Sequence, residues 1–441
     1  MYAVEVFARF ATGFAQTPLP AEVAHHAQRA VIDWYASIYP GLDTPTVQVL
    51  TNTMVEDLDR GKAQLVLGRR ATTRAAALIQ GTAAHAAEVD DSFRDAMYHP
   101  GAATIAAALA VAQTIDARGP DFLRAVVLGY EISTRIGVVM GRSHYKYWHN
   151  TGTMGSFGAA AAAASLLKLD EAAFSNALAI AATFTAGLQQ AFRTEAMAKP
   201  LHAGRAAEAG VLAAQLAASG MRSSLDVLEG ESGLGKAMSQ GPAWTQVGAT
   251  LGSDFHITRL TFKNHIGCGH TFAAIDGAQA LQQQHGFQHT DIEHIELGVY
   301  QATLDIAPHA NPQSADQARF SLHYMVATAL VHGSVRLSAF EPGRLTDPDT
   351  RSLMQRIDKV LDPDVDAAFP GRRGARVTIT LRDCRQLTIL QPDRKGDPEL
   401  PLSDTDLEGK LMELATPVIG QQDARALLSR IWQLHQSTQL P

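Results

Sequence analysis

The chain of 441 residues exceeds the length that one hydrophobic core usually serves, so two domains are expected. Apolar residues make up 46% and charged residues 18%, the balance of a globular protein. The formal charge of −7 works against nucleic-acid or membrane-surface binding, since both need a cationic face.

Alanine is abundant and aromatic residues are only 7%, a composition suited to helices that approach one another closely. The opening "MYAVEVFARFATGFAQ" has no basic n-region and reads as an amphipathic helix rather than a signal peptide, and no apolar run of membrane-spanning length follows. Two cysteines, Cys268 and Cys384, make no disulfide framework, so a cytoplasmic location is expected.

The first chemically dense stretch is "HAAEVDDSFRDAMYHPG", His85 to Gly101. Helical spacing puts His85 and Glu88 on one face while Asp90 and Asp91 point elsewhere, and no second ligand cluster accompanies them, so no metal is expected. His99 stands before Pro-Gly at a helix mouth, where backbone N–H groups and the positive end of the dipole favour a carboxylate.

Helices continue through "AATIAAALAVAQTIDA", which stops at Arg118-Gly119-Pro120, and through "DFLRAVVLGYEISTRIG", with Val127, Tyr130 and Ile136 at roughly helical spacing. "YKYWHNTGTMGSFG", Tyr145 to Gly158, repeats the helix mouth with His149. Asp170 is a plausible N-cap for "EAAFSNALAIAATF". In "EAMAKPLHAGRAAEAG", Lys199 precedes Pro200 and a helix carrying Arg205; desolvation or nearby cations would lower its pKa toward that of a working base. This helix should stop at Gly220. "GESGLGKA" follows the spacing of a phosphate loop until Ala237, where Ser or Thr is needed, and a poor strand precedes it, so it is set aside.

From Lys263 the grammar changes. Two helices, "TFAAIDGAQALQQQHG" and "FSLHYMVATALVHG", mix with strand-like "IEHIELGVY" and with "ARVTITLRD" and "RQLTILQP", which should pair as a hairpin. "HIGCGH", with His265, Cys268 and His270, has loosely zinc-like spacing without an identifiable fourth ligand and is read as an active-site loop. After Pro401 helices return, opened by a capping-box variant of Ser403 with Asp406. The expected fold is mainly α: a large all-α helical domain over residues 1–262 and 402–441, and a smaller α+β domain over 263–401.

Five ordered segments, "HAAEVDDSFRDAMYHPG", "YWHNTGTMGSFGAAAAAASLLKLD", "AKPLHAGRAAEAGVLAAQLAASG", "FKNHIGCGHTFAAIDGA" and "ARFSLHYMVATALVHG", resemble the MmgE/PrpD family over nearly the whole chain. The resemblance implies a homodimer, a lid role for the α+β domain, and chemistry on di- or polycarboxylates without an organic cofactor. It places Glu88, Ser92, His99, His149, Lys199, Lys263, Cys268 and Tyr324 in the site. The chain departs from the usual family run at Phe93 and Phe272, where histidines are common, and at Ser92, where threonine is. These departures point to a rebuilt site, most like the iminodisuccinate epimerase branch.

The expected activity is therefore epimerisation of an amino polycarboxylate such as iminodisuccinate. Lys199 and Tyr145 would be opposed acid/base groups, and His99, His149, Lys263 and His265 would bind carboxylates. Dehydration of a 2-methylcitrate-like acid and decarboxylation of a cis-aconitate-like acid are the alternatives. A non-catalytic helical scaffold would leave histidine and lysine at three helix mouths without a purpose.

Overall fold

Alanine and glycine decide how the helices of the first unit meet. The computed structural model describes residues 1–192 and 196–441, and its chain divides into one unit of Met1–Phe262 with Ser403–Pro441 and a second of Lys263–Leu402. The first unit contains α1 (Ala3–Phe14), α2 (Ala21–Leu42), α3 (Pro45–Thr53), α4 (Thr73–Ala86), α5 (Pro100–Thr114), α6 (Gly119–Tyr145), α7 (Asn150–Leu166), α8 (Glu171–Phe184) and α9 (Ala198–Ala218). Glu195, which opens the run around Lys199, lies outside the described residues.

At the centre, α7 packs on α5, α6 and α9, and α4 packs on α5 and α9. Ala159 to Ala164 of α7 are all fully buried, as expected of a helix surrounded on every side. The approach is very close where α9 crosses α4: a Cβ at Gly204 would collide with the Leu78 carbonyl and the Thr82 hydroxyl. Larger side chains at such crossings would force the axes apart and open voids.

Local signals set the helix ends. Asp170 accepts a hydrogen bond from Ala173 N at 2.8 Å, and Gly220 adopts φ +90° just beyond α9. The C-terminal helix Asp404–Trp432 opens on a capping box between Ser403 and Asp406, is broken at Gly420, and packs on α2.

The all-α expectation for this unit needs one correction. Between α3 and α4 lies a two-stranded antiparallel ribbon, β1 (Leu58–Gln64) and β2 (Arg70–Ala71). Only Leu58 and Ala63 of β1 are buried, so the segment lacks the apolar alternation by which a strand is read. Among the described residues, no strand leads directly into "GESGLGKA", whose last residues lie in the short helix Leu234–Met238.

The second unit holds a four-stranded sheet in the order β4–β3–β5–β6, formed by β3 (Ile292–Val299), β4 (Ile357–Leu361), β5 (Ala375–Leu381) and β6 (Gln386–Gln391). β5 and β6 are the expected hairpin, in register from Ala375–Gln391 to Thr380–Gln386. β3 runs antiparallel to β5 and parallel to β4. Helix Phe272–His285 packs on β5 and β6. Among the described residues, no helix is long and apolar enough to cross a membrane.

Candidate active site

The end of α4 and the start of α5 face each other, and the residues between them make the site. α4 stops at Ala86, and Glu88 takes φ +60°, a left-handed conformation that non-glycine residues seldom adopt. His85, fully buried in the last turn of α4, donates from Nδ1 to Asp90 Oδ2 at 2.7 Å. That carboxylate sets the tautomer and orientation of the ring. His85 Nε2 is buried, without a hydrogen-bond partner among the described protein groups.

His99 caps α5 and donates from Nδ1 to the Asp91 carbonyl at 2.7 Å, leaving Nε2 as the proton-accepting nitrogen. Its ring centroid lies 5.0 Å from that of His85. The Asp91 carboxyl bonds Gly101 N at 3.0 Å and the Tyr130 hydroxyl at 2.7 Å. Burial, then the Asp33 carboxylate, pushes it up to about 8, so at neutral pH it is largely protonated and supports the α5 mouth without adding a full charge.

The second helix mouth is joined to the first. Asn150 of α7 donates to the Ala96 carbonyl at 2.6 Å, and His99 N lies 3.4 Å from Thr151 Oγ1. His149, the capping residue of α7, has its ring 5.5 Å from that of His85. Its Nδ1 shares a hydrogen bond with His202 Nδ1 at 3.1 Å. Burial, then His85 and Lys199, holds His149 well below the usual imidazole range, and the same causes lower His202. Both rings are therefore neutral near pH 7, and because one Nδ1–H is given to the other ring, a single N–H of the pair remains for a ligand.

α9 supplies the third mouth. Lys199, in its first turn, pairs with the Glu88 carboxylate and lies over the Phe192 ring, 5.0 Å from its centroid. His202 follows one turn later. The first unit thus brings together His85, Glu88, Asp90, His99, His149, Lys199 and His202. Ser92 adjoins them through its backbone, which pairs with Thr261 at 2.9 Å in both directions.

Tyr145 stands outside this network of direct contacts. It follows the break in α6 at Gly141, and among the described residues it shares no hydrogen bond, ion pair or ring contact with the cluster. Among the described residues Tyr145 and Lys199 share no direct contact of these kinds, and two bases opposed across a substrate would need none. Phe93 is buried and stacked on His256, with ring centroids 4.9 Å apart, so its ring serves packing.

The residues expected from the second unit each meet their own neighbours. His265 donates from Nε2 to Asp276 at 2.8 Å. His270 and the Tyr300 hydroxyl bond at 2.8 Å, and burial, then Arg373 and Arg394, lowers His270 to about 3. Cys268 and Lys263 are buried. Tyr324 is fully buried, and its hydroxyl donates to the Ala339 carbonyl. The zinc-like spacing of "HIGCGH" therefore does not draw its two histidines to one point. Among the described residues, the one group spaced to hold a cation is His85, Asp90 and His99, with ligand atoms within 4.8 Å of one another. In that group the Nδ1 atoms of His85 and His99 donate to Asp90 and to the Asp91 carbonyl.

Sequence spacing had passed over His85, Asp90 and His202 as site residues. His202 carried one signal, its place three residues after Lys199 on a single helix face.

Comparison with known proteins gives a consistent result. The MmgE/PrpD N-terminal domain matches residues 5–247 and the MmgE/PrpD C-terminal domain residues 265–435. The cis-aconitate decarboxylase-like protein oryM of Aspergillus oryzae is 26% identical over 453 residues, 97% of this chain and 93% of its own. Cis-aconitate decarboxylase of Homo sapiens is 27% identical over 365 residues, 80% of this chain and 75% of its own. That of Aspergillus terreus is 24% identical over 404 residues, with coverages of 86% and 82%.

Proposed function

The chain belongs to the MmgE/PrpD family, and from that premise we propose that it is a carbon–carbon lyase that decarboxylates an unsaturated tricarboxylate of the cis-aconitate type. The observation that carries this reading is the joining of three helix mouths around neutral histidines and the Lys199–Glu88 pair. Such a site offers N–H donors and one ammonium to several carboxylates, and it keeps a histidine able to move a proton. The relatives, named as cis-aconitate decarboxylases, favour this reaction over the epimerisation expected from the sequence.

The chemistry asks for three things. The substrate carboxylates must be held, carbon dioxide must leave with its bonding electrons staying behind, and the carbon that receives them must take a proton. In an allylic acid those electrons pass through the double bond to a carbon α to a remaining carboxylate, which carries the charge as an aci-carboxylate until protonated. Lys199 and the one N–H that the His149–His202 pair leaves free would bind carboxylates and stabilise that charge. His99, having taken a proton from solvent at Nε2, would deliver that proton to the carbon and return to its neutral form, since its Nδ1–H is committed to the Asp91 carbonyl. His85, oriented by Asp90, would relay or orient beside it.

Proton NMR of the enzyme with cis-aconitate in D2O tests the reading: carbon dioxide release with one deuterium in the product supports it, and an unchanged substrate overturns it. One observation favours a second reading. Phe93, stacked on His256, stands where family members commonly carry a histidine, and a site without that group suits epimerisation of iminodisuccinate by Lys199 and His99. In the same experiment that activity would show as exchange of the α-proton and appearance of the other stereoisomer.

A further inference from the structure

The C-terminal helix Asp404–Trp432 carries an apolar stripe through Leu407, Leu411 and Leu414, all buried. Lys410 stands on that stripe, where helical spacing asks for an apolar residue, and it is only 2% exposed. Lysine is almost never buried without a partner. Here the ammonium donates to Asp33 Oδ1 of α2 at 2.6 Å and to the carbonyl oxygen of Val89 at 2.7 Å.

Val89 lies between the two acids that organise the site. On one side is Glu88, held at φ +60° with its carboxylate on Lys199. On the other is Asp90, whose carboxylate orients His85. A residue in a sparsely populated backbone conformation stays there only when its surroundings hold it. The Val89 carbonyl is the handle that Lys410 grips.

We infer that Lys410 is a positioning residue for the reaction: through Val89 it fixes the turn that aims Glu88 at Lys199 and Asp90 at His85. The inference rests on the acid/base role proposed above for that cluster. A segment more than three hundred residues away in sequence thereby takes part in forming the site, although Lys410 touches neither substrate nor a proton-transferring atom. Its charge is matched by Asp33, so the grip is anchored to α2.

Four proteins test this: wild type, Lys410→Met, the double variant Asp33→Asn with Lys410→Met, and Leu427→Ala on the same helix. Lys410→Met takes the ammonium away from the buried Asp33 carboxylate and should lower Tm. The double variant removes both charges and should recover Tm, yet it still lacks the grip on Val89. Its kcat should stay down by roughly tenfold or more, with KM within about threefold of wild type, because small misplacement of catalytic groups costs turnover more than binding. Leu427→Ala should lower Tm and keep kcat.

Hydrogen exchange read by mass spectrometry over residues 85–101 supplies a readout that needs no substrate. Exchange there should quicken by roughly tenfold in the double variant and not in Leu427→Ala. A double variant with kcat within about twofold of wild type, or with wild-type exchange over 85–101, overturns the inference. Should wild type fail to turn over cis-aconitate, the proposed function falls, and the exchange result alone decides the role of Lys410.

Discussion

Two short runs, His85 to Gly101 and Lys263 to His270, look alike in sequence, since each crowds histidines with other polar and reactive side chains. In the structure they behave oppositely. The first bridges the end of α4 and the mouth of α5, so residues spread over fifteen positions return to one place, and His85, His99 and His149 lie within ring contact. The second passes through a loop and one short helical turn, and its members go to separate partners: His265 to Asp276 and His270 to Tyr300. Proximity in sequence made both runs candidates. Where the helix ends point determined which became a cluster.

The sharpest way to break this comparison is to remove one proton-handling group from the first run and one buried hydroxyl from the second unit. His99→Asn should lower kcat/KM by about 10²- to 10⁴-fold, the usual contribution of a positioned acid or base. Tyr324→Phe should cost about 1 kcal/mol of stability, the worth of one buried hydrogen bond, with kcat close to wild type. Equal losses of turnover in steady-state kinetics would erase the distinction between the two regions.

A smaller effect is expected from the carboxylates that orient histidines. Asp90→Asn should reduce kcat by roughly 10- to 100-fold, because the amide cannot hold the His85 tautomer as a carboxylate does. Asp276→Asn, facing His265, measures whether the second run has a comparable dependence, with a lesser loss expected. Pre-incubation with a chelator should leave turnover unchanged, since His85, Asp90 and His99 are already engaged by hydrogen bonds. Loss on chelation with recovery on adding zinc would instead make the first run a metal centre.

The smallest expected effect is on stability against pH. Asp91 titrates near 8 in the folded protein, above its unfolded value of about 3.9, so the folded state binds the extra proton. Its contribution is fully present below pH ~4 and is lost as pH rises through about 8. His149 and His202 work in the other direction: their folded pKa values are lowered, so their contribution is present above about 6.5 and is lost as pH falls through the folded values. Thermal melts of Asp91→Asn, which imitates the protonated acid, should gain on wild type by about 5 °C or less between pH 5 and pH 8. A constant Tm difference across that range would mean that Asp91 is ionised throughout.

Much of the scaffold was legible in the residues themselves. The Asp170 cap, the Gly220 stop, the Ser403–Asp406 box and the β5–β6 hairpin all depend on contacts within a few residues, so local spacing suffices to read them. The β1–β2 ribbon was missed because its strands bury few side chains and carry no alternation. Within the site, His99 and His149 were legible as helix caps, and Lys199 from its place beside a helix-opening proline. Asp90 and Asp91 were not separable by sequence, because adjacent acids differ only in what lies opposite them: a histidine for one, and Tyr130 and Gly101 N for the other.

Sequence alone therefore determined the family, the alanine-packed helical unit, the α+β character of residues after 262, and the helix mouths where histidines and lysine stand. These follow from periodicity, caps and ordered motifs, which are properties of neighbours along the chain. Only the tertiary structure decided that three mouths open on one another, that the rings of His85 and His99 meet, and that Lys410 reaches Val89. Hydrogen-bond partners are chosen by distance and direction across packed helices, which spacing along the chain does not fix.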